Sequence, residues 1–402
     1  MNRIRFLTAG ESHGQALTAI IEGIPAGLNI SEKDIEHELR RRQRGYGRGG
    51  RMQIEKDRAR ILSGVRYGRT LGSPISLLIE NKDWPNWVHK MSVARVDDPV
   101  APLSMPRPGH ADFAGMVKYR TNDLRNILER SSARETAMRV AAGAIARKFL
   151  QEFGIEIYGH VIRIGSVASA ISALDVLTGK SSKDASRIAE WKTLMEKAET
   201  SATACADSAA TEAMIALIDD AKAKGDTLGG MFEIVAIGLP VGLGSHVHWD
   251  RKLDAQIAGA MISINAMKAV EIGLGREVAE LPGSKVHDEL YYDPAIGYYR
   301  GHNNAGGIEG GMTNGEPIIV RVAMKPLPTL VKPLQSVDTS TRQAKQAHSE
   351  RSDVCAVPAA VVVGEAMLAL VLADALCEKL GGDSIEEMKQ HFERLPRVPL
   401  GW

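Results

Sequence analysis

The sequence predicts one large domain that contains both α-helices and β-strands. Apolar residues recur at helical spacing in some segments and alternate with polar residues in others, the two patterns that identify helices and strands. No Pro- or Ser-rich linker divides the 402 residues, and no internal repeat is visible. Glycine-rich stretches lie near both ends of the chain. These observations favour a functional site that distant segments of one domain build together over two independent modules.

The first elements follow from short local patterns. Residues 3–6 alternate between charged and apolar side chains and predict a strand that stops near Gly10. The apolar run at 16–28 contains glycines and a proline, so it predicts a strand broken by a turn. Ser31 and Asp34 form a capping box, which predicts a helix that stops at Gly45.

The remaining elements are predicted in the same way. Ser132 and Glu135 form a second capping box, which predicts a long helix from there to Gly154. The composition turns to Ala, Ser, Lys and Asp between 166 and 230, which predicts a surface excursion. Periodicity and turn residues predict the other elements: short strands at 61–65 and 74–80, an extended Pro-rich segment at 96–109, a helix at 209–224, a strand at 232–238, a helix at 253–270, a glycine loop at 301–315, a strand at 317–325 and a buried or interface helix at 356–380.

The bulk composition argues against several classes of protein. Fifty Lys and Arg balance 49 Asp and Glu, and the sequence pI is about 7.8, whereas a dedicated nucleic-acid-binding domain usually has a pI above about 9. The three cysteines form no CxxC pair, so neither a disulfide framework nor a cysteine zinc site is expected. No signal peptide is recognisable, and the apolar segment at 356–380 carries charges that disfavour a bilayer span. A cytoplasmic protein without membrane contact is expected.

One basic stretch stands out against this balanced charge. "RRRQRGYGRGGR", from Arg40 to Arg51, holds six arginines and four glycines in twelve residues. It suits a solvated charge run at a helix end, an RNA-binding tract or an ordered anion site. Arginine forks bind phosphate and carboxylate through two hydrogen bonds, and glycines let backbone N–H groups approach an anion. These properties favour the ordered anion site, although the other two interpretations stay open.

Four other short stretches have a similar character. "GESHG" and "RPGHAD" each place a histidine in a glycine-containing turn, "RSSARET" places arginines and serines at a predicted helix start, and "RSD" joins an arginine to a carboxylate. Together they supply two imidazoles, one carboxylate and an excess of arginines, an inventory that suits removal of a proton and departure of an anionic group. His246 and His248 lack a third candidate ligand and are interpreted as surface residues, so no metal site is expected.

The same stretches carry a resemblance to a known family. "GESHG", "RPGHAD", "ERSSARETAMRVAAGA", "NAGGIEGGMTNGEP" and "RSDVCAVPA" resemble the signatures of the chorismate synthases and stand in the family's order. The resemblance runs from about residue 6 to residue 364 and is weakest at 166–227. It implies an α+β fold in which long helices are layered between antiparallel sheets in a single domain, and a homotetramer.

The resemblance also implies a reaction. Members convert 5-enolpyruvylshikimate 3-phosphate to chorismate and phosphate, the last step of the shikimate pathway towards aromatic amino acids. This carbon–oxygen lyase reaction is a 1,4-anti elimination that requires reduced FMN. By resemblance, His13 protonates the leaving phosphate, His110 controls the protonation of the flavin, and Asp353 takes up the C6 proton together with flavin N5. An external flavin reductase, or NADPH in bifunctional members, supplies the reduced cofactor.

Binding residues carry over by resemblance as well. The positions for the substrate's anionic groups, some of which also take NADP in bifunctional relatives, are Ser12, Arg42, Arg48, Arg107 and Arg134. The positions for FMN are Arg130, Ser131, Ser132, Asn265, Ala266, Gly310, Lys325, Pro326, Leu327, Pro328, Thr329 and Arg351. Two rival hypotheses are a polyanion-binding module and a catalytically silent scaffold. The balanced charge disfavours the first, and the presence of His13, His110 and Asp353 disfavours the second.

Overall fold

A computed structural model describes residues 3–49, 56–177, 185–349 and 353–395. The strands in chain order are β1 (Arg5–Ala9), β2 (Ala16–Glu22), β3 (Arg60–Ile61), β4 (Val65–Arg66), β5 (Arg69–Thr70), β6 (Ile75–Glu80), β7 (Glu156–Ile164), β8 (Val167–Ala168), β9 (Gly230–Ile237), β10 (Met267–Ile272), β11 (Leu290–Asp293), β12 (Gly297–Arg300), β13 (Ile308–Glu309), β14 (Met312–Thr313), β15 (Ile318–Met324), β16 (Gln335–Val337) and β17 (Ala344–Gln346).

The helices in chain order are α1 (Glu32–Gln43), α2 (Asp112–Tyr119), α3 (Arg125–Ser131), α4 (Thr136–Gln151), α5 (Ala173–Val176), α6 (Ala185–Thr200), α7 (Ser208–Lys224), α8 (Leu253–Ile262), α9 (Gly283–Val286), α10 (Val357–Leu380) and α11 (Ile385–Glu393). Short 3-10 turns lie at Trp84–Asn86, Ala133–Glu135, Trp249–Arg251 and Gly275–Glu280.

The first layer is a four-stranded antiparallel sheet in the order β1-β2-β6-β3. Along its central strands, buried side chains alternate with more exposed ones, so that one face of the sheet packs inward and the other does not. The register sets apolar residues opposite one another on the inner face, where Leu17 pairs with Ile79 and Ile21 pairs with Ile75. All four side chains are fully buried.

Two long helices form the middle of the molecule. α4 packs against the first sheet, α10 packs against the second sheet, and the two helices pack closely on each other. Close approach depends on a missing side chain at Gly143 of α4, where a Cβ would lie 2.4 Å from the Cβ of Ala366. α10 is long and apolar enough to cross a membrane, yet 94% of its most apolar window is buried inside the protein. It is therefore a core helix, as the sequence predicted.

The second sheet is also antiparallel, in the order β10-β15-β9-β7-β8. Its strand β9 is buried on both faces: Phe232 and Ile234 join the main core, whereas Val235 and Ile237 join a second cluster. That cluster includes the fully buried Trp191 of α6, which belongs to the segment predicted as an excursion. Two antiparallel sheets with long helices between them confirm the predicted α+β layering.

Four local predictions need correction. The strand predicted at 61–65 is interrupted, because residues 60–61 pair with β6 whereas residues 65–66 turn into a separate hairpin with β5. The helix predicted at 253–270 ends at Ile262, because Ala266 takes a left-handed φ of 69° and residues 267–272 pair with β15 as β10. At the second capping box, Ser132 accepts the N–H of Arg134, but the Glu135 carboxylate accepts from Arg139 and Thr8, so a 3-10 turn precedes α4. The glycine-rich segment at 301–315 contains the short hairpin β13–β14.

Candidate active site

A cavity of about 260 Å³ lies where the N-terminal ends of α4 and α10 meet the loops that follow β1 and β15. Partial positive charge at helix N-termini favours anions. Most of the residues predicted for the site line this cavity: Ser12, His13, Arg42, Arg48, Arg107, His110, Ser132, Arg134, Asn265, Ala266, Leu327, Pro328, Thr329 and Asp353. The fold thus brings together segments that lie up to about 340 residues apart in the sequence.

Two buried arginines form one wall. Arg134 donates to Asp57 at 2.7 Å and to the Asn81 amide oxygen through Nε and Nη2. Arg42 donates to Thr136 and to the Ala133 carbonyl, and its Nη1 lies 3.7 Å from Asp57. That Nη1 is buried and has no hydrogen-bond partner among the described residues. Arg42 is therefore a desolvated cation with one donor left for a ligand.

Burial is the main influence on the charge of Arg42. Burial, together with Arg48 and Arg134, lowers the pKa of the guanidinium to about 10, although Asp57 and Asp353 act in the opposite direction. The group remains cationic at neutral pH, at an electrostatic cost that a bound anion would offset. The cavity is consequently prepared for a negatively charged ligand.

His110 belongs to a compact cluster in the loop before α2. Its Nδ1 lies 2.5 Å from Asp112 Oδ1, and Arg107 donates to the same carboxylate through its backbone N and its Nε. Arg107 also donates to Thr329 at 3.1 Å. Burial alone would raise the pKa of the Asp112 carboxyl, but the hydrogen bonds from His110 and Arg107 hold it well below its usual range. Asp112 is therefore an anion that fixes both neighbours.

His13 is held by a different carboxylate. Its Nδ1 lies 3.0 Å from both oxygens of Glu129, and its backbone N–H donates to the same group at 2.8 Å. The ring stacks on Trp87 with centroids 3.8 Å apart and an interplanar angle of 19°. The imidazole is thus fixed in plane and in position at the cavity wall.

Asp353 lies at the cavity wall just before α10. Its carboxylate accepts from Arg48 Nη1 at 2.9 Å and from the backbone N–H of Gly49 at 2.6 Å. Both donors belong to the basic stretch from Arg40 to Arg51. The glycine-rich loop after α1 therefore holds an acid–base candidate in place.

Three arginines of the basic stretch, Arg41, Arg42 and Arg48, point into the protein, whereas Arg40 and Arg44 are exposed. Arg41 is paired with Glu38, Glu199 and Glu365, Arg44 is paired with Glu199, and Arg42 and Arg48 line the cavity. Arg51 lies outside the described residues. Inward-pointing guanidinium groups support the ordered anion site rather than a surface for RNA or another polyanion.

Some of the predicted FMN residues lie away from the cavity wall. Arg130 is exposed and donates to Thr8 and to the Gly10 carbonyl, and Ser131 donates to the Ile127 carbonyl. Lys325 donates to the Gly109 carbonyl, and its pKa is lowered by burial and by Lys268. Pro326 is exposed, and Gly310 lies at the turn between β13 and β14. Arg351 lies outside the described residues.

Several residues of the site carried no assigned role in the sequence. Glu129 and Asp112 stand inside the quoted motifs "ERSSARET" and "RPGHAD", so a search for a carboxylate beside each histidine could have found them. Asp57, Asn81 and Trp87 lie in no recognisable motif. His246 and His248 are exposed, and no group of three or more His, Cys, Asp or Glu that could hold a metal occurs in the described part of the chain.

The remaining wall suits a flat aromatic cofactor. It is apolar where Leu128, Ile264, Leu327, Ala359, Ala360 and Val363 line the cavity. Asn265 donates to the Ser131 carbonyl at 3.0 Å, while its Oδ1 is buried with no hydrogen-bond partner among the described residues. A flavin ring offers a broad apolar face and an N–H donor, so this combination fits it.

Comparisons with known proteins agree with this site. A family model described as chorismate synthase matches residues 4–377. The chain is 58% identical to a chorismate synthase of Aquifex aeolicus over 394 residues, which is 97% of this chain and 96% of the relative. It is 56% identical to one of Geobacter sulfurreducens over 398 residues, covering 97% and 98% of the two chains.

A solved structure described as chorismate synthase superposes with a TM-score of 0.75 at 49% sequence identity. The match covers 97% of this chain and 96% of the other. The chain belongs to the chorismate synthase family, the carbon–oxygen lyases of the shikimate pathway.

Proposed function

We propose that this protein eliminates phosphate from 5-enolpyruvylshikimate 3-phosphate to give chorismate, and that it requires reduced FMN. The observation that carries the proposal is the buried Arg42 Nη1, a cationic donor without a hydrogen-bond partner among the described residues, in a cavity that also contains Arg48, Arg107 and Arg134. A substrate with one phosphate and two carboxylates matches such a set of guanidinium groups.

The arginines bind the substrate and stabilise the charge that develops as phosphate departs. Arg107 and Arg134 are fixed by Asp112 and Asp57, so they need little reorganisation during the reaction. Donors fixed in advance in a poorly hydrated site stabilise developing charge more effectively than mobile ones.

Two protons move in the proposed elimination. The phosphate leaves with the electron pair of its carbon–oxygen bond, and His13 supplies a proton to it. Asp353 takes up the proton that leaves C6, and the electrons of that C–H bond become part of the new diene. The sum is chorismate plus phosphate, with no net oxidation or reduction.

The residues that would hold FMN are Ser132, Asn265, Ala266 and the loop at 325–329. Reduced FMN bound there would supply reversible one-electron chemistry to a reaction that has no net redox change. His110 controls the protonation of the cofactor, and its ring is kept in place by Asp112 and Arg107.

The test is a turnover assay under anaerobic conditions. Purified protein, chemically reduced FMN and the enolpyruvyl substrate are expected to release phosphate and chorismate in equal amounts. Oxidised FMN in place of reduced FMN is the matched control and is expected to give no product. Absence of turnover with reduced FMN contradicts the proposed function.

The source of the reduced cofactor is a separate matter. We propose that an external flavin reductase supplies it in a cytoplasmic setting, with NADPH as the alternative source. Protein, oxidised FMN and NADPH without a reductase are then expected to give no chorismate. Formation of chorismate in that mixture would instead assign flavin reduction to this chain.

A further inference from the structure

We propose that Glu129 is a positioning residue that holds the Nδ1–H of His13, so that the proton delivered to the phosphate comes from Nε2 of the doubly protonated ring, which is left as the neutral Nδ1–H tautomer. The inference rests on the proposed function, because it concerns the proton given to the leaving phosphate. It adds a residue of the helix before α4 to the machinery of the reaction.

The contacts of Glu129 support this role. The carboxylate is nearly fully buried, with 2% of its side chain exposed. One oxygen accepts the backbone N–H of His13, and both oxygens lie 3.0 Å from its Nδ1. A carboxylate only accepts hydrogen bonds when ionised, so Nδ1 must carry the proton in this arrangement.

The surroundings hold the imidazole against rotation. Trp87 stacks on the ring, and the Trp87 indole N–H donates to Asp83 at 2.8 Å. Arg125 lies 3.4 Å from Glu129, and Arg125 and Lys90 both lie over the Trp87 ring. The charged groups named here are therefore the buried carboxylate of Glu129 beside the imidazole and, around Trp87, the carboxylate of Asp83 and two cations.

A 180° flip of the ring would lose the Nδ1 hydrogen bonds while keeping the plane stacked on Trp87, so Glu129 decides which nitrogen lies on which side. With Nδ1–H bound to Glu129, Nε2 is the other ring nitrogen that can carry the transferred proton. Asp112 is bound more tightly by an arginine, because Arg107 donates to it at 2.9 Å, whereas Arg125 lies 3.4 Å from Glu129. The imidazole of His13 is the nearer of the two described side chains that contact Glu129.

The first experiment replaces the carboxylate with an amide of the same shape. Glu129→Gln is expected to lower kcat about 10²-fold, the scale of general acid catalysis, with KM changed less than about threefold because the substrate contacts lie elsewhere. The matched control is Glu135→Gln: Glu135 is also buried, but it contacts Arg139 and Thr8 and no imidazole. Equal losses in the two variants overturn the proposal.

A second experiment tests whether Glu129 acts through His13. In a His13→Ala background, Glu129→Gln is expected to cost less than about twofold more, because residues that act as one unit are not additive. A further loss as large as in the wild type contradicts the inference. Absence of turnover in the wild-type protein would instead contradict the proposed function.

A third measurement does not depend on folding of a Glu129 variant. Nitrogen-15 shifts of His13 in the wild-type protein, assigned by comparison with His13→Ala, distinguish the two neutral tautomers. A proton on Nδ1, in the neutral ring or in the doubly protonated ring, supports the proposal. The Nε2–H form overturns it even if Glu129→Gln fails to fold.

Discussion

Charge pairing determines what each residue of the cavity can do. Arg134, Arg107 and Arg48 each have a close carboxylate partner, at 2.7, 2.9 and 2.9 Å. In the described part of the chain, the carboxylate nearest to Arg42 is the more distant Asp57, at 3.7 Å, which Arg134 also contacts. The fixed pairs set the shape of the site, and the surplus charge of Arg42 is left for the ligand.

Arg42 is expected to contribute chiefly to ligand binding. Arg42→Met removes a charge-assisted hydrogen bond worth about 1.5–3 kcal/mol, which corresponds to substrate binding that is about 10- to 150-fold weaker. Titration of the FMN-loaded protein with the enolpyruvyl substrate measures this. The control is Arg40→Met, an exposed arginine on the same turn, for which unchanged affinity is expected. Similar affinity for both variants contradicts the assignment.

His110 and Asp353 are expected to act on protons rather than on affinity. His110→Ala and Asp353→Ala should each lose about 10²-fold or more in kcat, in line with acid–base roles. Steady-state rates with reduced FMN measure the loss. His246→Ala provides the control, since this histidine is exposed and lies outside the cavity. A variant with a near-normal rate would show that its assigned role is wrong.

At the scale of elements, the central helix pair determines how closely the layers pack. Glycines on α4, β7 and α10 leave no room for a side chain: a Cβ at Gly159 would lie 2.6 Å from Val361, and one at Gly364 would lie 2.5 Å from Ile234. Close packing places the N-terminal ends of α4 and α10 on the same cavity. The glycines therefore act on the site through the spacing of the helices.

Gly143→Ala tests this spacing. The added methyl group would meet the Cβ, Cα and backbone oxygen of Ala366 between 2.4 and 2.8 Å, so we expect destabilisation by about 1–3 kcal/mol from overpacking. Gly259→Ala is the control: it lies in α8 with no atom within 4 Å, and it should stabilise by about 0.5–1 kcal/mol. Denaturant titration measures both changes. An unchanged free energy of unfolding in Gly143→Ala would show that the helices can separate freely.

Local signals predicted most elements, and tertiary contacts explain the failures. The capping box at Ser31 and Asp34 forms as predicted, because its hydrogen bonds lie within one turn. The strand at 267–272 was missed because its pairing with β15, about fifty residues later, outweighs an apolar pattern that also suits a helix. Sequence motifs identified His13, His110 and Asp353. The positions of Asp57 and Asn81 beside Arg134 result from the packing of distant loops, which no local motif indicates.

At the scale of the whole molecule, the two sheets differ in how their outer faces are covered. The second sheet is covered by α5 and α6, whose apolar residues join Val235 and Ile237. The first sheet has no comparable cover among the described residues, and Leu7 and Ile20 on its outer face are 72% and 51% exposed. An exposed apolar sheet face commonly marks a contact between subunits.

The homotetramer implied by the family resemblance can be tested on this face. Light scattering on a sizing column is expected to give four times the chain mass of 43.5 kDa. Leu7→Lys combined with Ile20→Lys places two charges on the sheet face and should yield smaller species, because a buried unpaired charge is costly. Val93→Lys, at a fully exposed loop position, should leave the mass unchanged. A wild-type protein with the mass of one chain contradicts the tetramer, and an intact tetramer in the double variant places the contact on another face.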